Sequence, residues 1–233
     1  RVVETRFFVD PTIKTKKTRV LSSGVENKRG HRYHYQIDVA GALCFPRCDY
    51  VVPPYVLGVW LGDGTSVSPR INMSPEDAEI VKREFEQLGV PISCEWTHPQ
   101  TGVVTFSFAG PKHKPRNSFS REMKDLSLIC NKHIPRKYLY SDQASRLELL
   151  AGLIDTDGSY DAKHGRYRFI TASKRLADDV AELVRLCGVA CHVNKQKMDE
   201  RDRKIKATCA TYTVSFFPNF EIPCRLTRKR NQG

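Results

Sequence analysis

Two aspartates close matched apolar runs in this chain. Asp63 stands near the end of Val56-Leu57-Gly58-Val59-Trp60-Leu61-Gly62-Asp63-Gly64, and Asp157 near the end of Leu150-Ala151-Gly152-Leu153-Ile154-Asp155-Thr156-Asp157-Gly158. Small residues recur four apart in each run, Gly58 and Gly62 in the first, Gly152 and Thr156 in the second. That spacing stacks them on one face of a helix. A face of small residues lets two helix backbones approach closely, as in membrane helix pairs. The runs therefore read as two helices packed side by side on a pseudo-two-fold axis, with Asp63 and Asp157 meeting at one end. It is the wrong end for an acid: the helix C-terminus carries a negative partial charge, at a cost of ~0.3–1 kcal/mol per carboxylate. Neighbouring carboxylates also repel each other. A compensating cation is expected, and hard oxygen ligands with open positions suit Mg²⁺. A single Asp-Gly merely ends a helix in a turn, but two at matched positions call for chemistry. An EF-hand does not account for the acids after Asp155, because Gly158 falls at loop position 4 rather than 6 and Arg166 stands at position 12.

The elements around the acids repeat as well. Pro53-Pro54 can open a helix over Tyr55–Asp63, and the following glycine suits a left-handed stop. Ser74 caps a second helix that closes at Gly89, and Ser173 caps its counterpart that closes at Gly188, 15 residues on in both cases. Ile80, Val81, Phe85 and Leu88 make the apolar stripe of the first, and Leu176, Val180, Leu183, Val184 and Cys187 that of the second. Arg70–Met73 and Arg166–Ile170 alternate as strands. Ile92–Thr97 with Val103–Phe108, and Ala190–Lys197 with Ala207–Phe216, read as hairpins. Each half thus reads helix, two strands, helix, two strands, helix. Residues 1–52 form a separate basic extension, with strands at Val2–Val9 and Tyr33–Val39 joined by mobile loops; residues 53–140 and 141–233 are the two halves. Trp60 and Trp96 read as core.

Composition narrows the partner. Against 26 Asp+Glu, 38 Lys+Arg leave a formal net charge of +12, which favours a polyanionic partner, the alternative being a solvated basic surface kept for solubility. No apolar run approaches the ~20 residues that span a bilayer, and no secretory leader opens the sequence. Eight cysteines without a disulfide framework suit reduced thiols in a nuclear or cytoplasmic setting, not a secreted one.

Leu150–Gly158 differs at one position from the consensus that names the LAGLIDADG homing endonucleases, and Val56–Gly64 resembles the degenerate first copy of their two-motif, single-chain members, particularly those carried in inteins. The resemblance covers about residues 53–230. It implies an α+β fold, an αββαββα unit duplicated with pseudo-two-fold symmetry over double-stranded DNA. It also implies a monomeric, Mg²⁺-dependent hydrolase that makes a site-specific double-strand break. Asp63 and Asp157, with Gly62 and Thr156 just before them, would hold the metal. Asp155 has no acidic match, since Leu61 occupies its place. A basic residue follows each half in similar enzymes: Lys132 in the first, and Lys229 or else Arg228 in the second. Strand residues facing the groove would read bases or hold phosphates, and the candidates are Arg70, Asn72, Arg166, Arg168, Lys195 and Lys197.

Alternatives remain beside this reading. A non-cleaving nucleic-acid binder, either an intron maturase or a DNA-binding regulator, would use the same scaffold, although an Asp at both motif ends argues for cleavage. A metal-dependent nuclease with little sequence preference is a further rival. His31, His34, Cys44 and Cys48 have spacings compatible with tetrahedral zinc, or are strand surface and core. A complete intein would begin with Cys or Ser and end in His-Asn; neither pattern stands here, so either the splicing parts were removed or this is a freestanding relative, with residues 1–52 a DNA-contacting arm or a remnant of the splicing domain.

Overall fold

The computed structural model describes residues 14–20, 26–33, 41–108, 118–196 and 210–231. The chain divides into two compact units, residues 1–39 and 40–233. In the first, β1 (Lys14–Val20) and β2 (Glu26–Tyr33) pair antiparallel, with an irregularity in register between Lys16 and Thr18. These strands occupy stretches that the sequence suggests are loops, while the strands expected at Val2–Val9 and over most of Tyr33–Val39 lie outside the described residues.

The second unit starts earlier than residue 53. Leu43 N–H donates to Leu186 O (3.0 Å), Tyr50 stacks on Tyr138 with ring centroids 4.6 Å apart, and Val52 is fully buried. The buried Arg146 guanidinium donates to Leu43 O and Ser141 O, both at 2.5 Å. The segment from residue 41 is therefore part of this core and not of the basic extension. Apolar Leu43, Phe45 and Tyr50 lie among its charges, a signal too sparse to show a periodicity.

Two helices form the centre. Helix α1 (Pro54–Asp63) opens on Pro53-Pro54, and α5 (Gln143–Asp157) opens where Ser145 N–H donates to Asp142 Oδ1 (3.1 Å). Both are apolar nearly all round: residues 55–61 of α1 and 149–155 of α5 are buried. That is the pattern of a helix with partners on every side. Each fully buried Leu or Ile here contributes roughly 1.5–3 kcal/mol.

Each central helix leads into a sheet covered by an amphipathic helix. Strands β3 (Arg70–Met73), β4 (Cys94–Thr97) and β5 (Val104–Ser107) form an antiparallel sheet in the order β3-β5-β4 beside α2 (Pro75–Gln87). Strands β6 (Gly158–Asp161), β7 (Arg166–Thr171), β8 (Cys191–Gln196) and β9 (Thr211–Phe216) form the second sheet in the order β6-β7-β9-β8, packed on α6 (Lys174–Leu186). The capping serines act as their positions predict: Asp77 N–H donates to Ser74 Oγ (3.4 Å) and Leu176 N–H to Ser173 Oγ (3.2 Å). Helices α3 (Ser118–Asp125) and α4 (Arg136–Leu139) connect the halves.

This is the mixed α+β fold with antiparallel sheets that the sequence suggests, but the repeat is less regular. Among the described residues the strand expected directly after α1 shrinks to one bridge, Gly64 with Ile71. The closing helix of the second half is a short 3-10 turn, Thr227–Lys229.

Candidate active site

The two central helices touch backbone to backbone. A β-carbon built on Gly58 would lie 2.3 Å from Leu149 O and 3.0 Å from Gly152 Cα; one built on Gly152 would lie 2.2 Å from Tyr55 O and 2.8 Å from Val59 N. Further along, Gly62 faces the Thr156 side chain, whose hydroxyl is turned back onto Gly152 O (2.9 Å). Any larger residue at these contacts would separate the helices, so the small-residue face fixes where both helix ends lie.

Gly64 and Gly158 end the helices differently from expectation. Their backbones are extended, at φ −71° and −92°, and not left-handed. Glycine is required because the chain folds directly over the preceding turn: an added β-carbon would lie 2.2 Å from Trp60 O in one case and 2.5 Å from Ile154 Cα in the other.

Asp63 and Asp157 close α1 and α5 within electrostatic reach of each other. Asp63 is half-buried, and Asp157 opens to solvent. Desolvation first, and then the Asp157 charge, push the Asp63 carboxyl up to about 6 against the attraction of Lys132 and Lys229. Desolvation also raises Asp157, again opposed by both lysines.

A lysine sits on the carbonyls at each helix end. Lys132 Nζ donates to Leu61 O (3.0 Å) and Gly62 O (2.9 Å) and lies 5.3 Å from the Trp60 ring centre. Lys229 Nζ donates to Thr156 O (3.4 Å) and to Gly158 O. Burial lowers both ammonium groups, Lys132 to about 8. Each cation offsets the negative end of a helix dipole. Arg228, the other candidate beside Lys229, points elsewhere and pairs with Asp77 (2.5 Å).

These donors suit a hard divalent cation. Two carboxylates with the Gly62 and Thr156 carbonyls alongside are all-oxygen, and a carbonyl oxygen that accepts one lysine proton keeps a second lone pair. Among the described residues no group of three or more His, Cys, Asp or Glu is placed to hold a metal ion. Open positions are what Mg²⁺ needs, since it keeps several waters or phosphate oxygens.

Asp155 lies apart from this centre. It is buried and accepts from Tyr55 Oη (3.0 Å), Arg225 N–H (2.7 Å) and Leu226 N–H (3.2 Å). Burial raises its carboxyl, and these bonds pull it back down. It fastens the segment that carries Lys229. Arg225 completes the fastening, with its guanidinium on Glu84 (2.5 Å) and Glu148 (2.6 Å) and over the Tyr55 ring. Tyr55, Glu84, Glu148 and Arg225 have no spacing in the sequence that would reveal this network.

The strand candidates divide by register. Arg70 and Asn72 project from the exposed face of their sheet, where Asn72 is bonded to Thr65 (3.3 Å) and Thr105 (2.8 Å). Trp96 shares that face and is 52% exposed, so it is not core; it stands on β4, an edge strand whose residues are all exposed. Arg166 and Arg168 line the open face of the second sheet, both paired with Asp161 at 3.2 and 3.0 Å. Lys195 does not join them. It stands opposite Tyr212 with its ammonium 5.9 Å from that ring, in the alternation of Cys191 and Val193 that packs toward α6. Lys195 is exposed at the sheet edge, but the positions of that strand on the face of Arg166 and Arg168 are His192, Asn194 and Gln196, paired with Ser215, Thr213 and Thr211. A one-residue change of register exchanges the two faces of a strand, and the sequence does not state the register. Lys197 lies outside the described residues. Of the zinc candidates, Cys44 and Cys48 are free thiols, His34 is outside the described residues, and His31 falls on β2 in the other unit. No helix among the described residues is long and apolar enough to cross a membrane.

Residues 144–213 match the LAGLIDADG-like domain, the family that both motifs resemble. The chain is 31% identical over 185 residues to a replicative DNA helicase DnaB of Mycobacterium intracellulare, across 79% of this chain and 27% of that protein. It is 27% identical over 158 residues to a SufBD-family iron–sulfur cluster assembly protein of Mycobacterium leprae, across 63% of this chain and 17% of that protein. The chain therefore spans well under a third of either relative. A crystal structure of I-DmoI in complex with DNA and Ca is similar at a TM-score of 0.45 and 14% identity, covering 71% of this chain and 82% of that one.

Proposed function

We propose that residues 53–140 and 141–233 are the two halves of a site-specific homing endonuclease that makes a metal-dependent double-strand break in a long DNA target. One arrangement carries the reading: Asp63 and Asp157 at the ends of the apposed helices α1 and α5, within electrostatic reach of each other, each helix end bearing its own half-buried lysine. Asp63 and Asp157 would hold the divalent cation, Mg²⁺ being the expected one, with the Gly62 and Thr156 carbonyls beside it. When bound, such a cation supplies Lewis-acid stabilisation and a water that loses its proton near neutral pH. Lys132 and Lys229 place a positive charge beside each acid, where negative charge develops on the phosphate oxygens. Arg70, Asn72, Arg166 and Arg168 offer the guanidinium and amide groups that pair with guanine and adenine edges. One chain holds both halves, so a monomer suffices to cut both strands.

The relatives support an inserted module. A helicase and an iron–sulfur assembly protein do unrelated work, yet each shares this stretch over a small part of its length. A segment common to such hosts has an activity of its own, which favours an intein-type setting. Incubation with a randomised duplex library and Mg²⁺ tests the reading. Discrete cut sites support it, whereas binding without cuts would make the protein a non-cleaving binder. Asp63→Asn and Asp157→Asn should each abolish cutting while retaining binding.

A further inference from the structure

Residues flanking each lysine are bonded to the amphipathic helix of the other half. Lys132 follows the first sheet, but its neighbours are fastened to α6 of the second half. Arg175 Nη1 donates to Asn131 Oδ1 (2.6 Å), one residue before the lysine, and Ile134 N–H donates to Asp179 Oδ2 (2.9 Å), two residues after it. Arg175 and Asp179 are one turn apart on α6, so both grips come from one helix face. Lys229 follows the second sheet, and its neighbour Arg228 forms a two-pronged ion pair with Asp77 on α2 of the first half, at 2.5 and 2.7 Å. The lysine tips meanwhile rest on their own motif helices.

The crossing has a physical reason. A lysine is a compact charge on a four-carbon flexible stem, so its tip is only as well placed as its backbone. Each lysine lies beyond its own sheet; its own half holds the approach to it, Asp155 taking Arg225 and Leu226 N–H and Ser66 O taking Cys130 N–H, while the residues flanking the lysine, Arg228 on one side and Asn131 and Ile134 on the other, are held by the opposite half. A carboxylate in the first turn of α2 is favoured by the helix dipole, and a bidentate guanidinium–carboxylate pair fixes direction as well as distance.

We infer that Asp77 and Asp179 are positioning residues, each fixing the lysine of the opposite half and thereby the centre that cuts one DNA strand. The strand assignment rests on the nuclease reading; the placement of the lysines does not. Two measurements on the full chain keep these apart. In reductive methylation read by peptide mass spectrometry, Asp77→Ala and Arg228→Gln should raise the rate at Lys229 about tenfold and leave Lys132 unchanged, while Asp179→Ala and Arg175→Gln do the reverse; a misplacement of ~1 Å is worth up to ~10²-fold at a reacting centre. In cleavage of a duplex labelled on each strand, the first pair should slow one strand about tenfold and the second pair the other, so that opposite nicked products accumulate. Arg228→Lys should recover part of the loss, and Glu79→Gln, which breaks an exposed pair on α2, should change neither readout. Equal changes at both lysines, parallel slowing of both strands, or unaltered methylation would overturn the inference. A wild-type chain that cuts no duplex would refute the nuclease reading, with the methylation rates still deciding this one.

Discussion

Replacing Gly58 by alanine sets two opposing effects against each other. Alanine inside a helix is favoured over glycine by ~1 kcal/mol, so an exposed site would gain stability. Here the new methyl would meet Leu149 O at 2.3 Å, with Gly152 Cα and Leu153 N both at 3.0 Å. All three are backbone atoms, and none can rotate away. The helices must part by roughly 1 Å to restore ordinary contact, and strained overpacking of a core costs ~1–3 kcal/mol. With relief barred, the upper end applies, leaving a net loss of ~2 kcal/mol. For a domain of this size that lowers the midpoint by ~4–8 °C. Thermal unfolding by circular dichroism, with the urea slope as a check on two-state behaviour, reads the change directly. Gly152→Ala should behave alike, since its methyl would lie 2.2 Å from Tyr55 O. An unchanged or raised midpoint for either variant would refute the backbone-contact argument.

Without divalent cations, stability should fall as pH rises from about 4 to about 6, because Asp63 moves from 3.8 to about 6 on folding and the native state keeps the proton longer. Asp63→Asn should flatten that slope in pH-dependent urea melts and remove any stabilisation by added Mg²⁺. Asp155→Asn should cost ~1–3 kcal/mol, since a buried acceptor of three hydrogen bonds becomes partly a donor; early proteolytic cleavage within residues 222–230 would report the loosened segment. Arg168→Ala should weaken base discrimination by ~1–3 kcal/mol in competition binding. Lys195→Ala should leave discrimination unaltered, and a matching loss there would reverse the assignment of strand faces.

The sequence discloses the central features because they are local and repeated. Small residues four apart predict the apposed helices, and Ser74, Ser173, Gly89 and Gly188 mark the ends of the amphipathic helices. Non-local features stay hidden. Whether Lys195 shares the face of Arg166 and Arg168 depends on pairing with Tyr212, and the exposure of Trp96 depends on β4 lying at an edge. Asp155 reads in the sequence only as an acid without a counterpart, and its role as a latch is legible once the fold brings Tyr55, Arg225 and Leu226 to it from far along the chain. Gly64 is legible as a helix stop, but its extended backbone follows from the Trp60 carbonyl beneath it.

The latch around Asp155 also orders events during synthesis. Arg225, Arg228 and Lys229 leave the ribosome after both acids, both sheets and every helix that they clasp. A nascent chain can thus pair its two motif helices while still lacking Lys229, and the proposed centre is complete only when the tail docks. On the nuclease proposal, a released chain truncated after residue 221 should bind duplex and leave at least one strand whole.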